Sequence, residues 1–305
     1  MQKIRWLCRL LFAFLANARI FVSPNNPIYR GSLKGICFPG LNCYSCPLAT
    51  TACPIGALQN FLANLRVNFQ LARYQLGLYV IGTLSLFGAI GGRFVCGWIC
   101  PFGLIQGLIY RIPCPFRRWG LPKISRVTPF LVLFFMVFLF PLSIVDSAGY
   151  GITWFCKYIC PAGTLEAGIP LISMEPALRM NISWLFYNKL IILFIVLIAS
   201  WFISRPFCRL LCPLGAIYGA FNRVSLLKLE FNKELCVKCG ACANICPTGI
   251  NFYEGIDNVN SVACIRCLKC VSVCPVGAIK FSVTSDNKGH ILLNNNCKIS
   301  DNKFA

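Results

Sequence analysis

The chain has 305 residues, long enough for two ordinary domains, and 57% of them are hydrophobic while 12% are charged. Because soluble proteins carry roughly 25% charged residues, this composition favours a membrane protein. The formal net charge of +20 would suit a nucleic-acid-binding protein, but basic residues also collect at membrane edges, and we expect no nucleic-acid partner.

Four apolar runs come close to the length of about 20 residues that spans a bilayer. They cover residues 4–22, 74–90, 129–145 and 182–203. Arg5, Arg9 and Arg19 interrupt the first run, so it is either a transmembrane helix or an amphipathic helix that lies in the interface. We favour the transmembrane alternative and expect a polytopic domain of about four transmembrane helices.

Basic residues between these runs predict how the chain is oriented in the membrane. The connection 91–128 contains six basic residues and no acid, so we expect it on the cytoplasmic side. The connections 23–73 and 146–189 are then external, and both termini are cytoplasmic. The sequence therefore predicts a multi-pass protein of the cell membrane.

A duplicated segment relates two parts of the chain. Residues 93–111 read RFVCGWICPFGLIQGLIYR and residues 205–223 read RPFCRLLCPLGAIYGAFNR, with eight identical positions at one offset. Each copy contains a Cys-x3-Cys-Pro motif, which we call an inner hook. Two inner hooks side by side supply the four thiolates of a [4Fe–4S] cluster, although buried cysteines can also be ordinary packing residues. The predicted ligands, at the cytoplasmic ends of their helices, are Cys96, Cys100, Cys208 and Cys212. The arginines that begin and end each copy are expected to anchor helix ends at the membrane interface.

A weaker repeat predicts a second membrane cluster on the external side. The segment CPIGALQ at 53–59 matches CPAGTLE at 160–166, which pairs Cys53 with Cys160. We call these segments the outer hooks. Six cysteines are candidates for this site, two more than one cluster needs: Cys37, Cys43, Cys46, Cys53, Cys156 and Cys160. Either Cys43 or Cys46 would complete a set with Cys156. The alternatives are a cluster on the first four candidates alone, which leaves Cys156 and Cys160 as a pair, or an external disulfide.

Beyond residue 225 the chain becomes more polar, and it contains the run Cys-x2-Cys-x2-Cys-x3-Cys-Pro twice. This run is typical of ferredoxins with two [4Fe–4S] clusters, in which the fourth cysteine of each run binds the other cluster. The predicted ligands of the first cluster are Cys236, Cys239, Cys242 and Cys274, and those of the second are Cys264, Cys267, Cys270 and Cys246. Two structural zinc sites are the alternative, but zinc sites rarely repeat this spacing.

These motifs predict a mainly α chain in three parts. A helical membrane iron–sulphur domain covers 1–225, with internal repeats at about 1–112 and 129–224. A small α+β ferredoxin-like domain with two clusters covers 226–284, and a poorly ordered polar tail covers 285–305. Cys8, Cys114 and Cys297 follow no pattern and are expected to be free thiols. The single histidine, His290, excludes bis-histidine haem in the membrane.

The Cys-x3-Cys-Pro pairs and the following two-cluster run resemble the membrane-bound [4Fe–4S] polyferredoxins of the NapH type. NosR and the cytochrome-oxidase assembly protein CcoG are more distant relatives, and the similarity extends over about residues 30–279. The resemblance implies a membrane redox component that passes electrons between a cytoplasmic donor, or the quinone pool, and an acceptor on the other side. It also implies that the inner hooks are the family's membrane cysteine pairs. The chain lacks the Ser/Thr-Gly-Ala-Thr segment of flavin-bearing relatives, so no flavin is expected.

The sequence therefore predicts an electron-transfer subunit with redox partners on one or both sides of the membrane, rather than a stand-alone enzyme. The hydrocarbon core is about 30 Å thick, so we expect one membrane cluster near each end to divide the distance. The alternative is an iron–sulphur redox sensor or an assembly factor for another metalloenzyme. A zinc scaffold without redox activity would instead be colourless.

Overall fold

The computed structural model describes residues 2–19, 27–70, 75–113, 121–147, 149–283 and 290–293. These residues are mainly helical. The α-helices are α1 (Gln2–Ala16), α2 (Pro54–Ala63), α3 (Leu65–Gln70), α4 (Gln75–Gly91), α5 (Phe94–Trp98), α6 (Pro101–Ile109), α7 (Thr128–Val132), α8 (Phe140–Ser143), α9 (Pro161–Gly163), α10 (Ile169–Met174), α11 (Pro176–Met180), α12 (Trp184–Phe202), α13 (Pro206–Leu210), α14 (Pro213–Phe221), α15 (Ala241–Asn244) and α16 (Lys269–Val273). Shorter 3-10 segments lie at Ser32–Gly35 and Lys123–Arg126, and π-helical segments at Leu133–Leu139, Phe155–Ile159 and Thr164–Gly168.

Two helical segments are long and apolar enough to cross a membrane. They are Ile124–Ser143, with a mean hydropathy of 2.0, and α12, with a mean hydropathy of 2.1. Their apolar side chains are largely exposed, as Phe134 (57%) and Ile195 (60%) illustrate, and so much exposed apolar surface is suited to lipid. The run predicted at 74–90 forms α4, which has 17 residues. Among the described residues the structure thus has two candidate spans, where we predicted about four.

The first predicted span forms a 15-residue helix, α1, with charged residues on its buried face. Arg5 and Arg9 are buried and donate hydrogen bonds to the backbone oxygens of Cys267 and Gly97. The other face exposes apolar side chains such as Leu7. This distribution favours the interfacial amphipathic alternative over the transmembrane one. Arginines are costly among lipid tails, and here they reach carbonyl oxygens of the protein instead.

Each hook ends in the same local structure. The cysteine before the proline is the N-cap residue of a short helix, and the proline is the first helical residue. Proline suits this position because its φ angle is already helical and no intrahelical partner exists there for an N–H group. The free N–H groups of the helix then lie beside the thiol. In the second repeat, the N–H groups of Gly163 and Gly215 donate to the thiols of Cys160 and Cys212, both at 3.4 Å.

The C-terminal part contains a three-stranded antiparallel sheet in the order β1 (Leu227–Phe231), β2 (Ile279–Val283) and β3 (His290–Leu293). Leu229 of β1 pairs with Phe281 of β2, and both pack in a buried cluster with the cysteine runs. The strand β3 falls within the predicted polar tail and pairs with β2. The rest of that tail, apart from 290–293, lies outside the described residues.

Candidate metal centres

The structure brings the two inner hooks together. Their four cysteines are at most 8% exposed: Cys96, Cys100, Cys208 and Cys212. Each of the other three interacts electrostatically with Cys208. Burial raises the pKa of Cys96 to about 11 and that of Cys100 to about 12, so the thiolates need a nearby metal cation. The side-chain amide of Gln106 donates to the Cys208 thiol at 3.4 Å. Four converging cysteines are the donor set of a [4Fe–4S] cluster, and these residues fit one.

A duplicated arginine of the first repeat holds the backbone of the second inner hook. Arg93 is 5% exposed. Its Nε atom donates to the backbone oxygen of Gly215 at 2.7 Å, and its Nη2 atom donates to that of Cys208 at 3.1 Å. A single planar guanidinium thereby satisfies two carbonyl groups of one buried loop.

Arg205 makes the same contacts in the reverse direction. It donates to the backbone oxygens of Cys96 at 2.6 Å and Gly103 at 3.3 Å, which occupy the repeat positions of Cys208 and Gly215. We call these reciprocal contacts of Arg93 and Arg205 the arginine clasp. Both arginines are buried, so the expectation that they lie at the membrane interface is wrong. The physical reason is that buried carbonyl groups of the hooks need donors.

Four of the six outer candidates line one cavity of about 280 Å³. They are Cys43, Cys53, Cys156 and Cys160. Nowhere in the described part of the chain do three or more His, Cys, Asp or Glu side chains have the arrangement that holds a single metal ion. Thiols around a cavity fit a cluster better than a zinc ion, whose thiolate ligands must all lie about 2.3 Å from the metal.

The two repeats position two of these cysteines in the same way. The backbone N–H of Cys156 donates to Oε1 of Gln59 at 3.1 Å, and that of Cys43 donates to Oε2 of Glu166 at 2.7 Å. Gln59 and Glu166 are the last residues of the matching segments 53–59 and 160–166. Burial raises the pKa of Glu166 to about 7. Cys43 is therefore the structural counterpart of Cys156. The alignment of the two repeats does not pair these cysteines.

The other two outer candidates have different surroundings. Neither Cys37 nor Cys46 lines the outer cavity, and the Cys46 thiol lies 3.8 Å from Oδ1 of Asn17. The structure thus assembles two cysteines from each repeat, rather than the first four candidates alone. The thiols outside any motif are Cys8, which is unpaired in α1, and Cys114 and Cys297, which lie outside the described residues.

Replacing Cys43 with serine is expected to lower the iron content by about four atoms per chain, the iron of one cube. The same change at Cys46 is expected to leave the iron content unchanged, because its thiol does not reach the outer cavity. Iron and acid-labile sulphide in the purified proteins measure the difference. Loss of iron from Cys46→Ser and its retention in Cys43→Ser would reverse the assignment.

Gly40, Leu41 and Asn42 form a linking loop between the inner and outer sites. The glycine packs so tightly that an added Cβ atom would lie 3.1 Å from the Cα atom of Cys100. The leucine N–H is within hydrogen-bonding reach of the Cys100 thiol, and the asparagine N–H is within reach of the Cys53 thiol. Adjacent residues thus contact both sites, so the cysteine sets lie closer together than the opposite ends of a bilayer.

The electrostatic contacts between cysteines of the ferredoxin-like part agree with the sets that their spacing predicts. The Cys270 thiol interacts electrostatically with all three other members of the second set, including Cys246 from the first run. Cys242 interacts with two other members of the first set. The fourth predicted member, Cys274, lies in a buried cluster that contains cysteines of both sets, Cys242 and Cys264. These eight cysteines therefore fit the crossed arrangement of a two-cluster ferredoxin.

The ferredoxin-like part docks directly on the inner hooks. Gly97, between the two cysteines of the first inner hook, approaches the backbone oxygen of Ile265 so closely that a side chain would clash. The Asn222 side chain donates to the backbone oxygen of Cys264 at 2.8 Å. The backbone contact at Gly97 and the side-chain hydrogen bond from Asn222, at the end of the helix that follows the second inner hook, therefore hold the predicted second ferredoxin set against the inner hooks.

Residues that position cysteines without being ligands were not predicted from the sequence. Gln59 and Glu166 were visible as a matched pair in the outer repeat, but their contacts run between repeats and not within one. Asn222 and Arg266 carry no motif. Arg266 is fully buried, and it donates to the backbone oxygens of Gly91 and Asn222. Only the docked structure shows that these side chains hold the two parts together.

Known protein families match both parts of the chain. The family described as "4Fe-4S binding domain" matches residues 51–71, 75–125, 128–169 and 185–233. The family described as "4Fe-4S dicluster domain" matches residues 228–275. No solved structure shows significant similarity to the chain.

Individual relatives agree with these families. An uncharacterized protein of Methanocaldococcus jannaschii is 32% identical over 206 residues, which are 67% of this chain and 76% of the relative. The putative electron transport protein YccM of Escherichia coli is 26% identical over 204 residues, 65% of this chain and 53% of YccM. The ferredoxin-type protein NapH of Haemophilus influenzae is 26% identical over 162 residues, 53% of this chain and 50% of NapH.

The chain thus spans about half the length of YccM and NapH and a larger share of the archaeal relative. The predicted resemblance to membrane polyferredoxins is confirmed. Since the first family covers more than half of its residues, the chain belongs to the 4Fe-4S binding domain family of membrane-associated, ferredoxin-type iron–sulphur proteins.

Proposed function

We propose that this protein carries electrons through four [4Fe–4S] clusters, between a donor at the ferredoxin-like part and an acceptor at the outer cavity. The observation that carries this proposal is a continuous series of contacts. They run from the ferredoxin-like part to the inner hooks and, through the linking loop, to the outer cavity. The names of YccM and NapH describe an electron transport protein and a ferredoxin-type protein, and they support this reading.

Each bound cluster would supply a centre that accepts and releases one electron. The proposed ligands are Cys236, Cys239, Cys242 and Cys274 for the first ferredoxin cluster, Cys264, Cys267, Cys270 and Cys246 for the second, Cys96, Cys100, Cys208 and Cys212 for the inner cluster, and Cys43, Cys53, Cys156 and Cys160 for the outer cluster. Cys37 and Cys46 are left out of this set.

The chain's own contribution is to keep the cysteine sets close and fixed. Asn222 holds the backbone of Cys264 against the inner hooks. Leu41 and Asn42 reach from the inner set to the outer set across a single peptide unit. Gly97 lets the ferredoxin-like part approach without an intervening side chain. Binding and orientation of the cofactors are what a protein supplies in electron transfer.

We also propose that the ferredoxin-like part faces the cytoplasm. Arg126, in the basic connection 91–128, forms an ion pair with Asp257 of the ferredoxin-like part at 2.6 Å, so the two share one side of the membrane. By the positive-inside rule that side is cytoplasmic. Ile124–Ser143 and α12 are the proposed spans. Redox proteins on either side, or the quinone pool, remain the proposed partners.

A liposome experiment tests the proposed function. Purified holoprotein is inserted into liposomes that enclose a soluble oxidised cytochrome, and dithionite is added outside. We expect the enclosed cytochrome to be reduced, as followed by its absorbance. Liposomes with the Cys43→Ser protein, which keeps the inner hooks, should stay near the rate of protein-free liposomes. A fully iron-loaded protein that transfers no electrons would contradict the proposal and favour a sensor or an assembly factor.

A further inference from the structure

A second cavity, of about 440 Å³, lies between α1, the inner hooks and the ferredoxin-like part. Five basic side chains line it: Arg5, Arg9, Arg111, Arg205 and Lys269. In the part of its lining that the structure describes there is no aspartate or glutamate. We call this space the basic cavity. It is distinct from the outer cavity, and the proposed cluster ligand in its lining is Cys246 of the second ferredoxin set.

Among the described residues, the hydrogen bonds of Arg5, Arg9 and Arg205 go to backbone oxygens and not to carboxylates. Arg5 donates to the backbone oxygen of Cys267, and Arg9 donates to that of Gly97. Burial, followed by repulsion from Arg205 and Arg5, lowers the pKa of Arg9 to about 8. Buried cations of one sign are stable only when an anion is near. Thiolates of bound clusters behind the cavity wall would offset part of this charge but would not fill the space.

A buried amide group adds an independent observation. Gln2 lines the basic cavity, and its Nε2 atom is buried without a hydrogen-bond partner among the described residues. A buried donor of this kind is expected to have an acceptor. Ser204, which has a hydroxyl group, is in the same lining. The basic cavity therefore offers an anion both charge and neutral hydrogen-bonding groups.

We propose that the basic cavity binds a phosphate group. Guanidinium groups match the oxygens of phosphate by paired hydrogen bonds, and an anion with several oxygens can satisfy several of the lining cations together. The group can come from an anionic phospholipid or from a soluble phosphate compound. The exposed apolar face of α1, with Leu7 and Leu11, lies on the same helix as Arg5 and Arg9, so a headgroup could enter from the membrane surface.

Two binding arms distinguish these sources. Delipidated holoprotein in a non-ionic detergent is titrated with phosphatidylglycerol, followed by native mass spectrometry, and separately with inorganic phosphate and pyrophosphate, followed by calorimetry. We expect one molecule bound per chain in at least one arm. Binding of phosphatidylglycerol alone identifies a lipid headgroup, and binding of the inorganic anions identifies a soluble ligand. No binding in either arm would overturn the proposal.

Matched variants test whether the binding is in the basic cavity. Arg111→Gln and Lys269→Gln are each expected to weaken it about tenfold, the effect of losing one charged hydrogen bond. Arg223→Gln is the control, because Arg223 is exposed and occupies the repeat position of Arg111 outside the cavity. Iron is measured in every variant to show that the clusters are retained. Unchanged affinity in Arg111→Gln would overturn the proposal, and a failed liposome experiment would not, because binding does not require electron transfer.

Discussion

Replacing Cys212 with serine is expected to remove about four of about sixteen iron atoms per chain and to stop electron transfer to the enclosed cytochrome. Cys212 is buried among the inner hooks, which lie between the ferredoxin-like part and the linking loop. A serine hydroxyl is a poor replacement for a thiolate that iron requires. Iron analysis and the liposome assay measure the two effects separately, and low-temperature electron paramagnetic resonance should still show both ferredoxin clusters.

The control for this variant is Cys46→Ser, which is expected to match the wild-type protein in both assays. Cys46 is another buried cysteine of the predicted membrane domain. Its replacement therefore tests whether the loss of any buried thiol in this domain has the same effect. A Cys212→Ser protein with all of its iron would show that the inner hooks do not bind a cluster.

Replacing Arg93 with glutamine is expected to destabilise the membrane domain by about 2–6 kcal/mol, because two buried carbonyl groups lose a charged donor at about 1–3 kcal/mol each. Glutamine keeps the polarity but is too short to reach both Gly215 and Cys208. The inner cluster should be lost at a lower temperature than the ferredoxin clusters. Thermal unfolding in detergent, with iron release followed at the same time, measures this.

Two further variants show whether the arginine clasp is responsible. Arg223→Gln, at an exposed arginine of the same duplicated segment, should unfold like the wild-type protein. Gly215→Ala should reproduce part of the loss, because its Cβ atom would lie 2.5 Å from Nη2 of Arg93. If Arg93→Gln unfolds like the wild type, the clasp is not needed for stability.

Cysteine sets with a regular local spacing could be predicted from the sequence. Each Cys-x2-Cys-x2-Cys-x3-Cys-Pro run contains all its cysteines within one short segment, and its spacing is typical of crossed ferredoxin sets. The structure agrees, since Cys270 of one run interacts with Cys246 of the other. The inner hooks could be paired because a duplicated fold places equivalent residues around one axis. In both cases, a pattern within a short segment predicts which distant cysteines come together.

For the outer site, six candidate cysteines could be named from the sequence, but the four that come together could not be identified. Cys43 and Cys46 lie in one turn, and nothing in their spacing distinguishes them. The structure distinguishes them through Glu166, which accepts the Cys43 N–H from the other repeat. A contact of this kind depends on how the two repeats pack against each other, so it cannot be predicted from hydropathy or from cysteine spacing.

The membrane crossings were the least predictable part of the fold. The window around Arg5 and Arg9 is apolar enough on average to suggest a span, but an average does not show that both arginines lie on one face. That face binds carbonyl oxygens of the inner hook and the ferredoxin-like part. The linking loop likewise brings the cysteine sets closer than topology alone predicts, because a glycine permits it.

The arginine clasp also constrains how the protein matures in the cell. Arg93 leaves the ribosome long before Gly215 is synthesised, and neither half can stabilise its own hook without the other. A nascent or truncated chain that ends before the second inner hook should therefore bind no metal at the inner hooks. We therefore expect the inner site to take up iron only after both inner hooks have been synthesised.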